Sequence, residues 1–234
     1  MSSYDAIATL YDAWSRSVTE DVGFYVDLAL ESDGPVVELG VGTGRIAVPV
    51  AKAGVRVIGV DASQGMLDVC RRRARTAGVE DLLDLRRGDL TKPPVHERVE
   101  LVMSPFRALL HLESDAARLR ALRAARKLLR PGGRFVFDVF APSRADIEET
   151  NRRWLEREPG IWERADWDET ERVLTLSVRG NDGETTMRLA WLEPDRWREL
   201  LERAGFGIVE CYGWFDRRPY AGGEDTVWVT RRPA

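Results

Sequence analysis

Apolar and polar positions alternate with two different periods along the first two thirds of the chain. Short, continuous apolar runs at Val36–Leu39, Val55–Val60, Leu82–Arg87, Leu101–Ser104 and Arg134–Val139 predict buried strands. Between them Arg45–Ala53, Gln64–Ala77 and Asp115–Leu129 carry apolar residues at helical spacing. In the last of these, Ala117, Leu119, Leu122, Ala125, Leu128 and Leu129 mark the stripe that faces the core. Pro131-Gly132-Gly133 is expected to end that helix and turn the chain into the next strand. Strands and helices in alternation predict parallel strands joined by right-handed crossovers.

The flanks differ from this core. Two helices are expected ahead of it, near Ile7–Trp14 and Asp21–Leu30. After it, Trp162–Trp167, Arg172–Arg179 and Thr185–Trp191 read as short antiparallel strands, with turns at Asp168-Glu169 and Asn181-Asp182-Gly183. A helix follows over Pro194–Ala204, opened by proline and stopped by Gly205. Two strands, Gly207–Trp214 and Asp225–Thr230, complete the pattern. The expected organisation is one domain: cap helices over 1–33, a core over 34–140, a β-rich lid inserted over 141–193, and a helix with two strands over 194–234. No repeat and no low-complexity linker interrupts it.

Composition narrows the partners. At 234 residues and 44% hydrophobic content the chain can bury a sizeable core. A formal charge of −4 argues against a nucleic-acid binder. The arginines at 71–73 and within 118–130 are spaced by alanine and leucine or edge such a segment, as on solvated helix faces. Cys70 and Cys211 form no Cys-x-x-Cys pair, so neither a metal site nor a redox motif is expected, and free thiols suit a cytoplasmic location. No run of about 18 apolar residues predicts a membrane span, and the segment from Met1 to Asp12 lacks the form of a signal peptide. A small-molecule partner and a monomer or homodimer are expected.

The sharpest chemical feature is Val36-Val37-Glu38-Leu39-Gly40-Val41-Gly42-Thr43-Gly44-Arg45: a strand, a glycine-rich turn and a helix start. Such a turn lets a ligand approach bare backbone, and free N–H groups at the helix start can hold a carboxylate or a phosphate. The next strand ends in Asp61, an acid suited to two ribose hydroxyls; otherwise Asp61 simply caps the helix that begins at Ser63. Arg45 stands where a dinucleotide fingerprint has its third glycine, which argues against a pyrophosphate loop.

These residues resemble the class I S-adenosylmethionine-dependent methyltransferase family, over roughly residues 34–140. Glu38-Leu39-Gly40-Val41-Gly42-Thr43-Gly44 looks like its E/D-x-G-x-G-x-G motif, and Asp61 like its ribose ligand. Ala62 and Met66 stand where the family flanks adenine. Arg87-Gly88-Asp89-Leu90 resembles its G-D-h segment, and Leu129-Arg130-Pro131-Gly132-Gly133 its L-x-P-G-G turn. The resemblance implies an α/β, Rossmann-like, seven-stranded and mostly parallel sheet with flanking helices, a helical cap and a β-rich lid. It implies S-adenosyl-L-methionine as cofactor, with S-adenosyl-L-homocysteine as product. Its cofactor-binding residues would be Tyr11, Trp14, Glu38, Gly40, Gly42, Gly44 and Arg45, then Asp61, Ala62, Met66, Gly88, Asp89, Leu90 and Ser104. On chemistry alone the alternative for Met66 is core packing, and for Asp89 it is turn formation.

Methyl transfer is a displacement that needs alignment and a dry site; it needs a base only when the acceptor arrives protonated. Ser104-Pro105-Phe106 departs from the N/D-P-P-Y/F segment of DNA and protein-glutamine methyltransferases. The Pro105-Phe106-Arg107 run leading to His111-Leu112 looks instead like that of small-metabolite methyltransferases. Arg107 could hold an acidic substrate group or face solvent. His111 is the candidate base or substrate hydrogen-bond partner, or else a packed structural histidine; His96 is given no role. Phe106 and Tyr11 join the expected acceptor site, because Leu10-Tyr11-Asp12-Ala13-Trp14 resembles the helix that closes over the cofactor in small amine methyltransferases. Hydrophobic docking of that helix is the plainer alternative. Trp154, Trp162, Trp167, Trp191, Trp197, Trp214 and Trp228 could form an aromatic box, although most are expected in sheet core. The expected reaction is transfer to nitrogen or oxygen of a small molecule. The alternatives are methylation of a protein or peptide terminus and a non-catalytic, cofactor-binding regulator.

Overall fold

The computed structural model describes Tyr11, Trp14 and residues 19–181 and 183–234. Six helices of the described residues are α1 (Glu20–Leu30), α2 (Ala47–Lys52), α3 (Gln64–Thr76), α4 (Asp115–Leu128), α5 (Arg144–Thr150) and α6 (Pro194–Ala204). The strands of the larger sheet are β1 (Val36–Leu39), β2 (Val57–Asp61), β3 (Leu83–Arg87), β4 (Val99–Ser104), β5 (Leu129–Phe140), then β10 (Gly207–Tyr212) and β11 (Asp225–Arg231). Between β5 and α6 lie β6 (Trp154–Glu158), β7 (Ile161–Asp168), β8 (Val173–Gly180) and β9 (Gly183–Ala190).

The seven-stranded sheet has the order β10-β11-β5-β4-β1-β2-β3. β1 pairs in parallel with both β2 and β4, and β11 runs antiparallel to β5 and β10. The strand order therefore reverses between β1 and β4, and open α/β sheets bind ligands in the crevice at such a reversal. All four residues of β1 are buried because helices cover both faces. On one side Phe135 and Phe137 of β5 pack with Trp197 of α6 and Trp228 of β11. On the other, Tyr25, Leu67 and Cys70 pack over Val36 and Met103.

Local sequence explains most boundaries. Ser63 and Ser114 cap α3 and α4 by accepting from Met66 N and Ala117 N. Pro194 opens α6, and Gly205 closes it at φ 85°. Tyr11 and Trp14 are helical; the other residues of the helix expected near Ile7–Trp14 lie outside the described ones.

Four expectations need correction. First, the alternation of strands and helices is broken once: no helix links β3 to β4, and the chain crosses as a loop containing the Asp89–Lys92 bridge. Second, Pro131-Gly132-Gly133 does not separate helix from strand. β5 begins directly at Leu129, and Gly132 N and Gly133 O bond with Arg232 O and N. Third, the insertion holds a four-stranded antiparallel sheet, β6-β7-β8-β9, where three strands were expected, and it adds α5. Trp154-Leu155-Glu156-Arg157-Glu158 escapes a period-two search because its outer residues are exposed or half-buried on both faces. Fourth, most of the seven tryptophans are not sheet core. Trp191, Trp197 and Trp228 are buried, with Trp197 on a helix, while Trp154, Trp167 and Trp214 are half-buried and Trp162 is exposed.

Candidate active site

A cavity of about 1060 Å³ lies beyond the carboxyl ends of β1, β2 and β4, and the β6–β9 sheet forms its opposite wall. The turn after β1 holds Gly40, Gly42 and Gly44 at φ 80°, 53° and 81°. Gly40 and Gly42 line the cavity and Gly44 does not. A Cβ on Gly42 would meet only the Gly40 carbonyl at 4.0 Å, whereas one on Gly44 would lie 2.5 Å from Cys70 Sγ. The first position serves an approach from the cavity; the last serves packing of the turn on α3.

Asp61 lines the cavity and braces the same turn, its Oδ2 accepting from Gly42 N at 2.9 Å and its Oδ1 from Ser63 N at 2.8 Å. Ala62, Met66 and Leu90 line the cavity beside it. Gly88 and Asp89 do not reach it: a Cβ on Gly88 would strike Pro94, and Asp89 accepts from Thr91 N at 2.6 Å within its turn. Ser104 is buried and donates to Leu39 O at 3.0 Å, tying β4 to β1 behind the wall.

Glu38 is buried beneath the turn, and its Oε2 has no hydrogen-bond partner among the described residues. Burial pushes its carboxyl well above the usual carboxylate range, against the opposing pull of Arg45. Arg45 donates both terminal nitrogens to Asp21 of α1 at 2.6 Å and lies 4.5 Å over the Phe106 ring. It stands behind the cavity wall rather than on it.

Phe106, Arg107 and His111 all line the cavity, on the turn after β4 and the 3-10 turn Ala108–His111. Phe106 packs against Tyr11 and Trp14 at ring-centroid distances of 6.2 and 6.1 Å. Trp14 donates to Glu163 of β7 at 2.9 Å, so this aromatic group links the turn to the opposite wall. Arg107 is half exposed, pairs with Asp225 at 3.0 Å and lies over Phe140. His111 Nδ1 faces the Arg188 carbonyl of β9 at 3.1 Å. A carbonyl can only accept, so the neutral ring carries its proton on Nδ1, and Nε2 is its acceptor nitrogen. Crowding by protein lowers the His111 pKa to about 4, although part of the ring faces the cavity.

Residues that the sequence did not single out complete the site. Asp138 of β5 sits behind the Phe106–Arg107 turn and accepts from both backbone amides and from Tyr25. Its signal was present, an acid inside the apolar run Phe135–Phe140, where an unpartnered charge would be costly. On the insertion, the cross-strand pairs Ala165–Leu176, Leu174–Leu189 and Leu176–Met187 present one face to the cavity. Among the described residues no group of three or more metal-ligating side chains occurs, and no helix is long and apolar enough to cross a membrane.

The methyltransferase-domain family matches residues 36–133, from β1 to the glycine pair of β5. An uncharacterized methyltransferase of Geobacillus kaustophilus is 32% identical over 182 residues, covering 75% of this chain and 79% of that protein. A putative methyltransferase of Geobacillus sp. strain WCH70 is 25% identical over 95% of this chain and 93% of its own length. The structure of the CcbJ methyltransferase from Streptomyces caelestis superposes with a TM-score of 0.85 at 31% identity, over 99% of this chain and 98% of that one. With the reversal of strand order between β1 and β4 and the open turn at Gly42, these similarities make the chain a member of the class I S-adenosylmethionine-dependent methyltransferases.

Proposed function

We propose that this methyltransferase moves a methyl group from S-adenosyl-L-methionine to a nitrogen or oxygen of a small molecule and leaves S-adenosyl-L-homocysteine. The observation that carries this reading is that one cavity is shared by Gly40, Gly42, Asp61 and Met66 on one side and by Arg107, His111 and the insertion on the other. Cavities of about 300–1,000 Å³ hold one drug-sized ligand; at about 1060 Å³ this one lies at the top of that range, with the glycine turn and Asp61 on one wall and the insertion on the other.

The residues present fit the cofactor. Gly42 offers bare backbone to open space. Glu38 keeps an oxygen without a partner beneath that backbone, and Asp61 offers a carboxylate at the end of β2. Gly40 and Gly42 would hold the amino-acid end, Asp61 the ribose hydroxyls, and Ala62, Met66 and Leu90 the adenine ring. Gly44, Gly88 and Ser104 would act through packing, and Arg45 by holding α1 and Phe106 in place. When bound, the cofactor supplies an electrophilic methyl carbon on a sulfonium.

The remaining work falls to the chain. The insertion and the Tyr11–Trp14–Phe106 group keep water from the cavity. The apolar face of β7–β9 seats the acceptor's body. Arg107 orients a polar group of the acceptor, its charge balanced by Asp225. His111, neutral at physiological pH, can take a proton at Nε2 from an acceptor that arrives protonated.

A screen of amine, phenol and carboxylate pools with methyl-labelled S-adenosylmethionine tests this proposal. Transfer of label to a small molecule is the expected result. Tight NAD binding without any response to S-adenosylhomocysteine would remove the cofactor assignment. Label found only on protein would replace the acceptor class.

A further inference from the structure

Phe106 and Arg107 are consecutive, carry side chains, and hold φ of 54° and 64°. Left-handed backbone is disfavoured for any residue with a Cβ, and an aromatic residue has little to offset it. Such a conformation persists only where its surroundings over-determine it. Here both backbone amides of the turn meet one carboxylate. Asp138 Oδ1 accepts from Phe106 N at 2.9 Å and from the Tyr25 hydroxyl at 2.7 Å, and Oδ2 accepts from Arg107 N at 3.2 Å. Successive backbone N–H groups converging on an anion form a nest; this nest is filled by the protein's own side chain.

We infer that Asp138 is a positioning residue for methyl transfer: ionised, it holds the Phe106–Arg107 turn left-handed and so sets Phe106, Arg107 and His111 against the cavity. The inference rests on the assignment of that cavity as the transfer site. Asp138 itself is buried in β5 and touches the cavity only through the turn. Replacing it with asparagine would put a donor where one backbone N–H needs an acceptor.

The hold depends on charge. Burial and the nearby Asp21 of α1 raise the Asp138 pKa to about 6, while the Tyr25 hydroxyl, the Phe106 amide and Arg107 pull it down. Arg45, also on that side, pairs with Asp21 at 2.6 Å, and its charge acts on Asp138 as well. Above that pH the carboxylate accepts all three bonds. As pH falls through it, protonation turns one oxygen into a donor and the nest loosens.

Ligand-free, nitrogen-15-labelled protein tests this without any methyl acceptor. The Phe106 and Arg107 amide signals should titrate together with a midpoint near pH 6. Asp138→Asn should speed their hydrogen exchange about tenfold at mildly alkaline pH, as expected for a lost charge-assisted hydrogen bond. Amides of β1 and β4 should keep their rates. Tyr25→Phe keeps the carboxylate and removes one donor to it, so the midpoint should move upward; this variant decides the matter if Asp138→Asn fails to fold. With an acceptor in hand, Asp138→Asn should lower kcat by about 10- to 100-fold, leave affinity for S-adenosylhomocysteine near wild type, and remove an acid limb near pH 6 from the profile. Unchanged exchange at both amides, or a loosened turn with wild-type kcat and pH profile, would overturn the inference. Failure to find any acceptor would count against the proposed reaction, whereas the amide measurements judge the nest by itself.

Discussion

Gly42 and Gly44 belong to one turn yet should answer a side chain in different ways. At Gly42 a Cβ projects into open cavity, so Gly42→Val should abolish S-adenosylhomocysteine binding by calorimetry while costing only about 1–2 kcal/mol for the left-handed φ. At Gly44 a Cβ collides with Cys70, so Gly44→Ala should lower stability by roughly 1–3 kcal/mol in urea and leave binding in the molecules that remain folded. His111 gives a test by pH. Its folded pKa, about 4, lies below the unfolded value near 6.5. The unfolded chain therefore takes the proton first, and folded stability should fall as pH drops from about 6.5 towards 4. His111→Ala should flatten that part of the stability profile and, if His111 accepts the proton, lower turnover by roughly 10²–10⁴-fold with little change in cofactor affinity. Gly40, Gly42 and Asp61, expected at the cofactor, line the cavity because a strand end and its turn fix where they point, and Met66 does so from the first turn of α3. Gly88, Asp89 and Ser104 share the same motifs but face Pro94, Thr91 and Leu39. For Ser104 the direction depends on a partner 65 residues away, and for Gly88 and Asp89 on how the following turn folds back, neither of which spacing encodes.

Among the elements, periodicity located the strands and helices of the core to within a few residues, because one-sided or complete burial imposes it. It failed where burial is shared. β6 has no dry face, and the Pro-Gly-Gly segment joins β5 because Arg232, about a hundred residues later, supplies its bonds. The contact of the insertion with the core was likewise invisible. Arg118, which the spacing placed on a solvated face, is buried on α4, donates to Ala190 O at the end of β9 at 2.8 Å and pairs with Asp115 at 3.1 Å. Arg118→Ala should lower stability by on the order of 3 kcal/mol, since it strips a buried partner. Ser114→Ala, which removes only the cap of the same helix, should cost about 1 kcal/mol. Urea unfolding of both variants compares them directly, and equal losses would mean that Arg118 contributes nothing to docking the insertion.

For the molecule as a whole, the cavity lies between two sheets, so a bound ligand should stabilise them together. S-adenosylhomocysteine at about a hundred times its Kd should add about 2.7 kcal/mol, a rise in Tm of roughly 5–10 °C for a chain of this size. NAD at the same concentration should give none. The general architecture was legible because the strand-turn-helix alternation admits few topologies; the acceptor was not, since its wall is built from side chains of an insertion with no motif. The sulfur atoms carry a last consequence. Cys70 sits under the glycine turn with its thiol pushed up to about 12 by burial, and burial raises Cys211 to about 11. Neither is a nucleophile at neutral pH. A maleimide dye should therefore ignore the native chain and mark only a cysteine introduced on the exposed side of the insertion, as in Trp162→Cys. Any movement of the inserted sheet against the core can then be followed by fluorescence on single molecules without first removing either natural thiol.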